Sequence, residues 1–268
     1  MMMSWERSII IKSQAEIEVM REAGRINWLA LEAVRAQIAP GVQTIELDKI
    51  AEEVIRNHGG KPAFLGVPGA YPYPATTTIS INDELVHGIP GKRKLSEGDI
   101  VSVDCGTIFE GFVGDSAFTT GVGKINKEAQ SLIEVTHRAL NIGIDKMRPG
   151  NKIGDVGAAI QHYVEGEGYN LTREYTGHGV GRSMWEGPQA PNYGTEGKGI
   201  ELRAGMVIAL EPMVLIGTPH TRVMEDKWTV ASKDGSLTAH FEHTVAITDN
   251  GPLILTTGDK SDKIILDE

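Results

Sequence analysis

A chain of 268 residues, 40% hydrophobic and 23% charged, has ordinary globular composition and enough length for one large domain or two intimate halves. Its formal charge of −10 argues against a nucleic-acid-binding surface, which needs basic patches. The single cysteine, Cys105, excludes an intramolecular disulfide and fits a reducing compartment. Ser13-Gln14-Ala15-Glu16 is a capping-box pattern that predicts a helix running towards Ile38 and stopping at Pro40-Gly41. Thr44 then predicts the cap of a second helix closing near Gly59. Gly59 to Pro74 reads as a loop, Thr76 to Ile81 as a strand, and Asn82-Asp83 as a turn. Further strands are predicted at Val101 to Asp104, Phe112 to Thr120, Val207 to Glu211 and Ala239 to Thr248, with helices from Asn126 to Met147 and Gly154 to Glu167. Met1 to Lys12 holds only Ile9-Ile10-Ile11 as an apolar run, too short for a signal-peptide core, and no stretch reaches membrane-spanning length, so a soluble cytoplasmic protein is expected.

The second half repeats the first. Gly41 and Gly59 recur as Gly150 and Gly168, 109 positions on in each case, with Pro40 matched by Pro149. Leu95 to Asp104 lines up with Leu202 to Glu211, so two similar strands each end on a carboxylate. His87 corresponds to His178 upstream, and Asp115 to Glu242 downstream. This period is far longer than that of a solenoid and predicts two related α+β halves, about 13–125 and 126–250, within one catalytic domain spanning 1–268. A site is expected between the halves.

A lone His or Asp is ordinarily a surface or satisfied polar residue, but here acids recur at matched strand positions. Burying them is costly unless a partner or metal compensates. Oxygen and imidazole donors with no thiolate suit a pair of first-row divalent ions, which can acidify a water and polarise a carbonyl for hydrolysis of amides or phosphate esters. The chain has neither a Walker-type phosphate loop nor a Gly-x-Ser-x-Gly elbow. The glycines of Gly177-His178-Gly179-Val180-Gly181 are read as permitting close backbone approach, and Cys105 as a small packing residue.

Read in order, Ser80-Ile81-Asn82-Asp83-Glu84-Leu85-Val86-His87-Gly88-Ile89-Pro90, Val103-Asp104, Gly114-Asp115, Thr176 to Gly181, Glu211-Pro212-Met213 and Phe241-Glu242-His243-Thr244 resemble the type I methionine aminopeptidases, metallopeptidases of the pita-bread fold. The resemblance covers nearly the whole chain. It implies an α+β fold of two pseudo-symmetric halves, with a curved antiparallel sheet covered by helices, and removal of the initiator methionine from new proteins. It also implies two divalent metal ions (cobalt, manganese, iron or zinc) on Asp104, Asp115, His178, Glu211 and Glu242, with Asp115 and Glu242 shared between the ions. Glu211 is expected to relay the proton from the attacking water to the departing amine. His87, which the repeat alone would make the twin of a ligand, is expected instead to hydrogen-bond the reacting amide. Tyr73, Thr78, Met184 and Trp228 stand where the family places its methionine pocket, and Phe64 is expected near the same wall. The implied partners are nascent polypeptide N-termini, met at the ribosome, with no nucleic acid and no membrane, and the protein is expected to be a monomer.

One position departs from the pattern. Family members usually carry a second substrate-binding histidine seven residues after the ligand histidine, and this chain has Trp185 there. An indole N–H can donate one hydrogen bond but cannot exchange a proton near neutral pH. The proline-rich stretch Val67 to Tyr73 is also longer than usual. Prolidase and aminopeptidase P share the fold, but their large N-terminal domain is not expected in the residues before Ser13. A non-catalytic relative is expected to have lost ligands. The helical subdomain of the type II enzymes does not fit between Glu211 and Glu242.

Overall fold

The computed structural model describes residues 9–258, so Met1 to Ser8, the final ten residues and thus both ends of the expected 1–268 domain lie outside the described residues. In chain order the elements are α1 (Gln14–Arg35), α2 (Thr44–Asn57), β1 (Lys61–Pro62), β2 (Thr77–Ile81), β3 (Glu84–Val86), β4 (Ile100–Phe109) and β5 (Phe112–Gly121). They continue with α3 (Lys127–Lys146), α4 (Ile153–Gly166), β6 (Asn170–Leu171), β7 (Gly177–Gly179), β8 (Glu186–Ala190), β9 (Val207–Leu210) and β10 (Met213–Leu215). The last are β11 (Thr221–Val223), β12 (Val230–Ser232), β13 (Thr238–His240), β14 (Glu242–Thr248) and β15 (Gly251–Ile254).

The Ser13 hydroxyl accepts from the Glu16 N–H while the Glu16 carboxylate accepts from the Ser13 N–H, so α1 begins on the reciprocal cap its sequence encodes. Ile17, Met20, Ile26, Ala30, Leu31 and Val34 bury one stripe of the helix. The helix ends at Arg35 rather than Ile38, because Gln37 and Ile38 donate three residues back and tighten the last turn. Thr44 is the first helical residue of α2 and not its cap. Its hydroxyl is already engaged by Gly91, accepting from the N–H at 2.8 Å and donating to the carbonyl at 3.1 Å, and Gln43 takes the cap position with the Glu46 carboxylate on its N–H.

The main sheet has nine strands in the order β1-β4-β5-β14-β9-β7-β8, with β2 pairing β4 and β15 pairing β14. Strand β4 runs past Asp104 to Phe109, so that acid lies mid-strand. The hairpin to β5 closes on Glu110 and Gly111, both at positive φ (47° and 79°), the signature of a two-residue turn matched to strand twist. The predicted strand from Ala239 to Thr248 is broken at Phe241: β13 leaves to pair with β10, while β14 joins the main sheet. Helix α1 packs on β4 and β5, and α3 on β13. Val101, Val103 and Cys105 point into the main helix-covered core. Burial, reinforced by Asp104 beside it, pushes the Cys105 thiol well above its usual range, as suits a packing residue.

Related features stand at related places in the two halves. Gly41 and Gly150 share φ +91°, Gly59 and Gly168 have φ +78° and +87°, and isolated antiparallel bridges join Gln43 to Lys94 and Lys152 to Glu201. Among the described residues no helix is long and apolar enough to cross a membrane.

Candidate metal centre and active site

Side chains directly opposite each other in an antiparallel pair share a face. Asp104 on β4 lies opposite Ala117 on β5, and Ala117 lies opposite Glu242 on β14, so the two acids form one row separated only by a methyl group. Asp115 is two residues from Ala117 and therefore faces the same way. In the adjoining row Thr244, Ala209 and His178 lie opposite one another, and Glu211 follows β9 two residues after Ala209. The register thus gathers Asp104, Asp115, His178, Glu211 and Glu242 on one face, the face away from Val103 and Cys105.

Close approach makes this geometry possible. A Cβ on Gly177 would meet the Ala209 carbonyl at 2.5 Å, and one on Gly179 would strike Gly187, so both glycines flanking His178 are needed for β7 to sit between β8 and β9. The Thr244 hydroxyl holds the Asp115 backbone, accepting from its N–H at 2.9 Å and donating to its carbonyl at 2.8 Å. Asn192 donates to the Glu211 carbonyl at 2.8 Å.

Single donor atoms of Asp115, His178 and Glu242 lie within 4.8 Å of one another. His178 Nε2 is 3.6 Å from Glu211 Oε1 and 3.9 Å from Asp115 Oδ2. The Nδ1 of His178 lies 3.0 Å from the Gly179 carbonyl, which can only accept, so Nδ1 carries the proton and Nε2 turns a lone pair towards the acids. Among the described residues the basic side chains beside Asp115, Glu211 and Glu242 are imidazoles rather than lysines or arginines. Burial holds His178 and His87 down at about 4, so neither supplies positive charge at neutral pH. Burial raises all four acids, Asp115 to about 7. Asp104, Glu211 and Glu242 are raised further by the neighbouring carboxylates.

Oxygens of Asp104, Asp115 and Glu242 are buried without a hydrogen-bond donor from the protein. Buried carboxylate oxygens without donors or cationic side chains beside them are what bound divalent cations compensate, and the oxygen-plus-imidazole set suits such ions. The residues present therefore fit a metal.

The same cavity is lined by His87, Tyr73, Thr78, Met184, Trp185, Trp228 and Phe64 beside the five acid and imidazole residues. His87 follows β3 at φ 62°, a left-handed conformation uncommon for a residue with a side chain, next to Gly88, which packs on the Ile79 carbonyl. Tyr73 is buried, and its hydroxyl shares its one proton between the carbonyls of Thr77 and Gly88, both at 3.0 Å, so its ring is what serves the cavity. That ring meets the Trp228 ring edge-on at 5.1 Å. Gly106 leaves room for the tips of Met184 and Phe64, each of which a Cβ there would meet within 3 Å.

Sequence reasoning missed His240, whose Nε2 is buried without a hydrogen-bond partner, 3.7 Å from Glu211 Oε2 and 3.9 Å from Glu242 Oε2. Burial, then the charge of His87, depresses it to about 3. Its position two residues before Glu242, on the same side of an extended chain, was the available signal. Tyr175, whose ring lies 6.0 Å from that of His87, and Met213 also line the cavity.

A buried carboxylate cluster with a neutral imidazole donor on a helix-covered antiparallel sheet defines a metal-dependent hydrolase. The chain belongs to metallopeptidase family M24, whose profile matches residues 18–249. It is 49% identical over 249 residues to the methionine aminopeptidase of Clostridium acetobutylicum, covering 92% of this chain and 98% of that one. A crystal structure of methionine aminopeptidase from Thermotoga maritima superposes with a TM-score of 0.91 at 46% identity, covering 93% of this chain and all of that one. Prolidase from Pyrococcus furiosus is more distant: TM-score 0.76 and 25% identity, with 94% of this chain but 66% of that one covered. The fold is the pita-bread fold, and the chain is a metallo-aminopeptidase in kind.

Proposed function

We propose that this protein removes the N-terminal methionine of peptides and newly made proteins by metal-assisted amide hydrolysis. The observation that carries the reading is the juxtaposition of buried carboxylates, three of them with an oxygen that has no protein donor, with an apolar wall of Tyr73, Trp228, Met184 and Phe64 in one cavity. Asp104, Asp115, His178, Glu211 and Glu242 would hold two divalent ions, cobalt, manganese, iron or zinc, with Asp115 and Glu242 shared between them. Charge supports the number: four carboxylates carry −4 and two divalent ions +4, while His178 is neutral. When bound, such ions supply Lewis acidity, lowering the pKa of a water and polarising a carbonyl. Glu211 takes the proton of the attacking water and delivers it to the amide nitrogen as the carbon–nitrogen bond breaks. His87 hydrogen-bonds the reacting amide. The methionine side chain packs on the Tyr73–Trp228 wall, with Thr78 at its edge and Trp185 at the mouth.

A free α-amine adjoining the acids restricts cleavage to the first residue. The physiological partner is the nascent N-terminus at the ribosome, the compartment the cytoplasm, and the working unit a monomer. Its one catalytic domain spans 1–268, built from related halves near 13–125 and 126–250. The test compares Met-Ala-Ser, N-acetyl-Met-Ala-Ser and Ala-Pro-Ser with metal-loaded and chelator-treated protein. Release of methionine only from the first peptide, and only with metal, supports the reading. Cleavage of the Xaa-Pro bond alone would instead favour a prolidase-like enzyme.

A further inference from the structure

Among the residues lining the active-site cavity Trp185 alone is exposed, at 43%. Its ring stands 6.4 Å from that of His178, inclined at 64°. A peptide whose first side chain lies on the buried wall and whose first carbonyl lies at the acids leaves the cavity by its open side. The exposed indole is therefore placed to meet the second residue of the peptide.

The loop bearing Trp185 is fixed from beneath. Glu186 and Lys12 form an ion pair at 2.6 Å with side chains only 4% and 2% exposed. The other Glu186 oxygen accepts from the N–H groups of Arg182 at 2.8 Å and Ser183 at 3.2 Å, closing the turn that presents Met184 and Trp185. Lys12 is itself anchored, its N–H donating to the Gly205 carbonyl at 2.8 Å, and Ile9 bridges to Gly187. A Cβ on Gly181 would meet both Glu186 Oε1 and Lys12 Cε at 2.6 Å, so the pair is closely packed against this turn. A half-exposed indole on a loop with a buried ionic anchor is a preorganised apolar surface rather than a mobile one.

We propose that Trp185 reads the residue following the scissile bond, favouring an apolar side chain over a polar one of the same shape, and that the buried Lys12–Glu186 pair is the positioning device that holds it there. The inference rests on the aminopeptidase reading. Met-Val-Ser and Met-Thr-Ser isolate it, because valine and threonine have the same shape and differ in whether a methyl or a hydroxyl meets the ring.

With the metal-loaded protein, kcat/KM for the valine peptide should exceed that for the threonine peptide by about fivefold, below the roughly hundredfold that a closed apolar pocket reaches. The ratio is taken within each variant, so a general loss of activity cancels. In Trp185→Ser it should fall to within about twofold of one. In Glu186→Gln, whose amide oxygen can still accept from Arg182 and Ser183, the ratio should also fall, because the anchor is lost. Lys12→Met/Glu186→Gln removes both buried charges and provides the same reading if the single variant folds poorly. A ratio near one in the parent, or an unchanged ratio in Trp185→Ser, overturns the inference. An unchanged ratio in both pair variants overturns the positioning role. Failure to release methionine from these peptides and from Met-Ala-Ser overturns the aminopeptidase reading, and this inference with it.

Discussion

Asp115→Ala tests the proposed two-ion cluster most directly. The Asp115 carboxylate is buried, one of its oxygens has no protein donor, and its neighbours are acids and neutral imidazole rather than a lysine or arginine that could take over its role. Removing it changes the four-carboxylate charge from −4 to −3, so two divalent ions would leave an uncompensated positive charge in the cavity. A unit charge about 4 Å from a divalent ion, at an effective dielectric constant near 20, is worth about 8 kcal/mol, and even half of that is roughly a thousandfold in affinity. If Asp115 touches both ions, both sites weaken, and the looser is lost at micromolar free metal. Elemental analysis after gel filtration should find one ion per chain or fewer, and titration calorimetry should show the affinity loss, with hydrolysis of Met-Ala-Ser abolished. Thr244 grips the Asp115 backbone rather than its carboxylate, so this strand contact survives the substitution. Two tightly held ions with normal turnover in the variant would refute the reasoning.

His87→Ala should retain its metal by elemental analysis yet lower kcat by about a hundredfold, the scale of one positioned hydrogen-bond or proton donor, and loss of metal would make His87 a ligand instead. Trp185→His should raise kcat on Met-Ala-Ser several-fold with little change in KM if the indole leaves the carbonyl oxygen without a side-chain donor; an unchanged kcat in steady-state assays would count against that. Gly114→Ala would drive its Cβ to 2.6 Å from the Gly24 amide nitrogen, backbone against backbone where α1 meets β5. Overpacking of this kind costs about 3 kcal/mol, so calorimetry should show the melting temperature falling by roughly 6–12 °C. In the metal-free protein the raised carboxylate pKa values make the folded chain bind more protons than the unfolded one from about pH 4 upwards, through about 7 for Asp115. Its stability therefore declines as pH rises across that window, while bound cations keep the same carboxylates ionised. Thermal melts should show the stabilisation conferred by divalent ion widening from about pH 5.5 to about 8. His87, His240 and His243, held down by burial, contribute alike to both forms and drop out of that difference. A gap that narrows with rising pH would contradict the assignment.

The sequence by itself determined what depends on neighbours along the chain. The Ser13–Glu16 cap, the glycines that end each helix pair, and the strand identity of the segments around Asp104 and Asp115 are local choices of dihedral, hydrogen bond and periodicity, and each can be read within a few residues. Motif order carried the family resemblance for the same reason. Thr44 shows where that reach ends: its composition says cap, but Gly91, 47 residues on, claims its hydroxyl. The predicted strand through Phe241 splits because β10 and the main sheet compete for it, and competition between partners leaves no trace in local pattern. That Asp104 and Glu242 stand in one row across Ala117 follows from register, of which the β4–β5 hairpin is local but the β5–β14 pairing joins strands more than a hundred residues apart. The tertiary structure alone brought His240 between Glu211 and Glu242, and tied Trp185 to the start of the chain through Lys12 and Glu186, 174 residues apart. Burial of a polar group is a property of everything packed around it, so the site's electrostatics belong to the fold even where its residues could be named from the sequence.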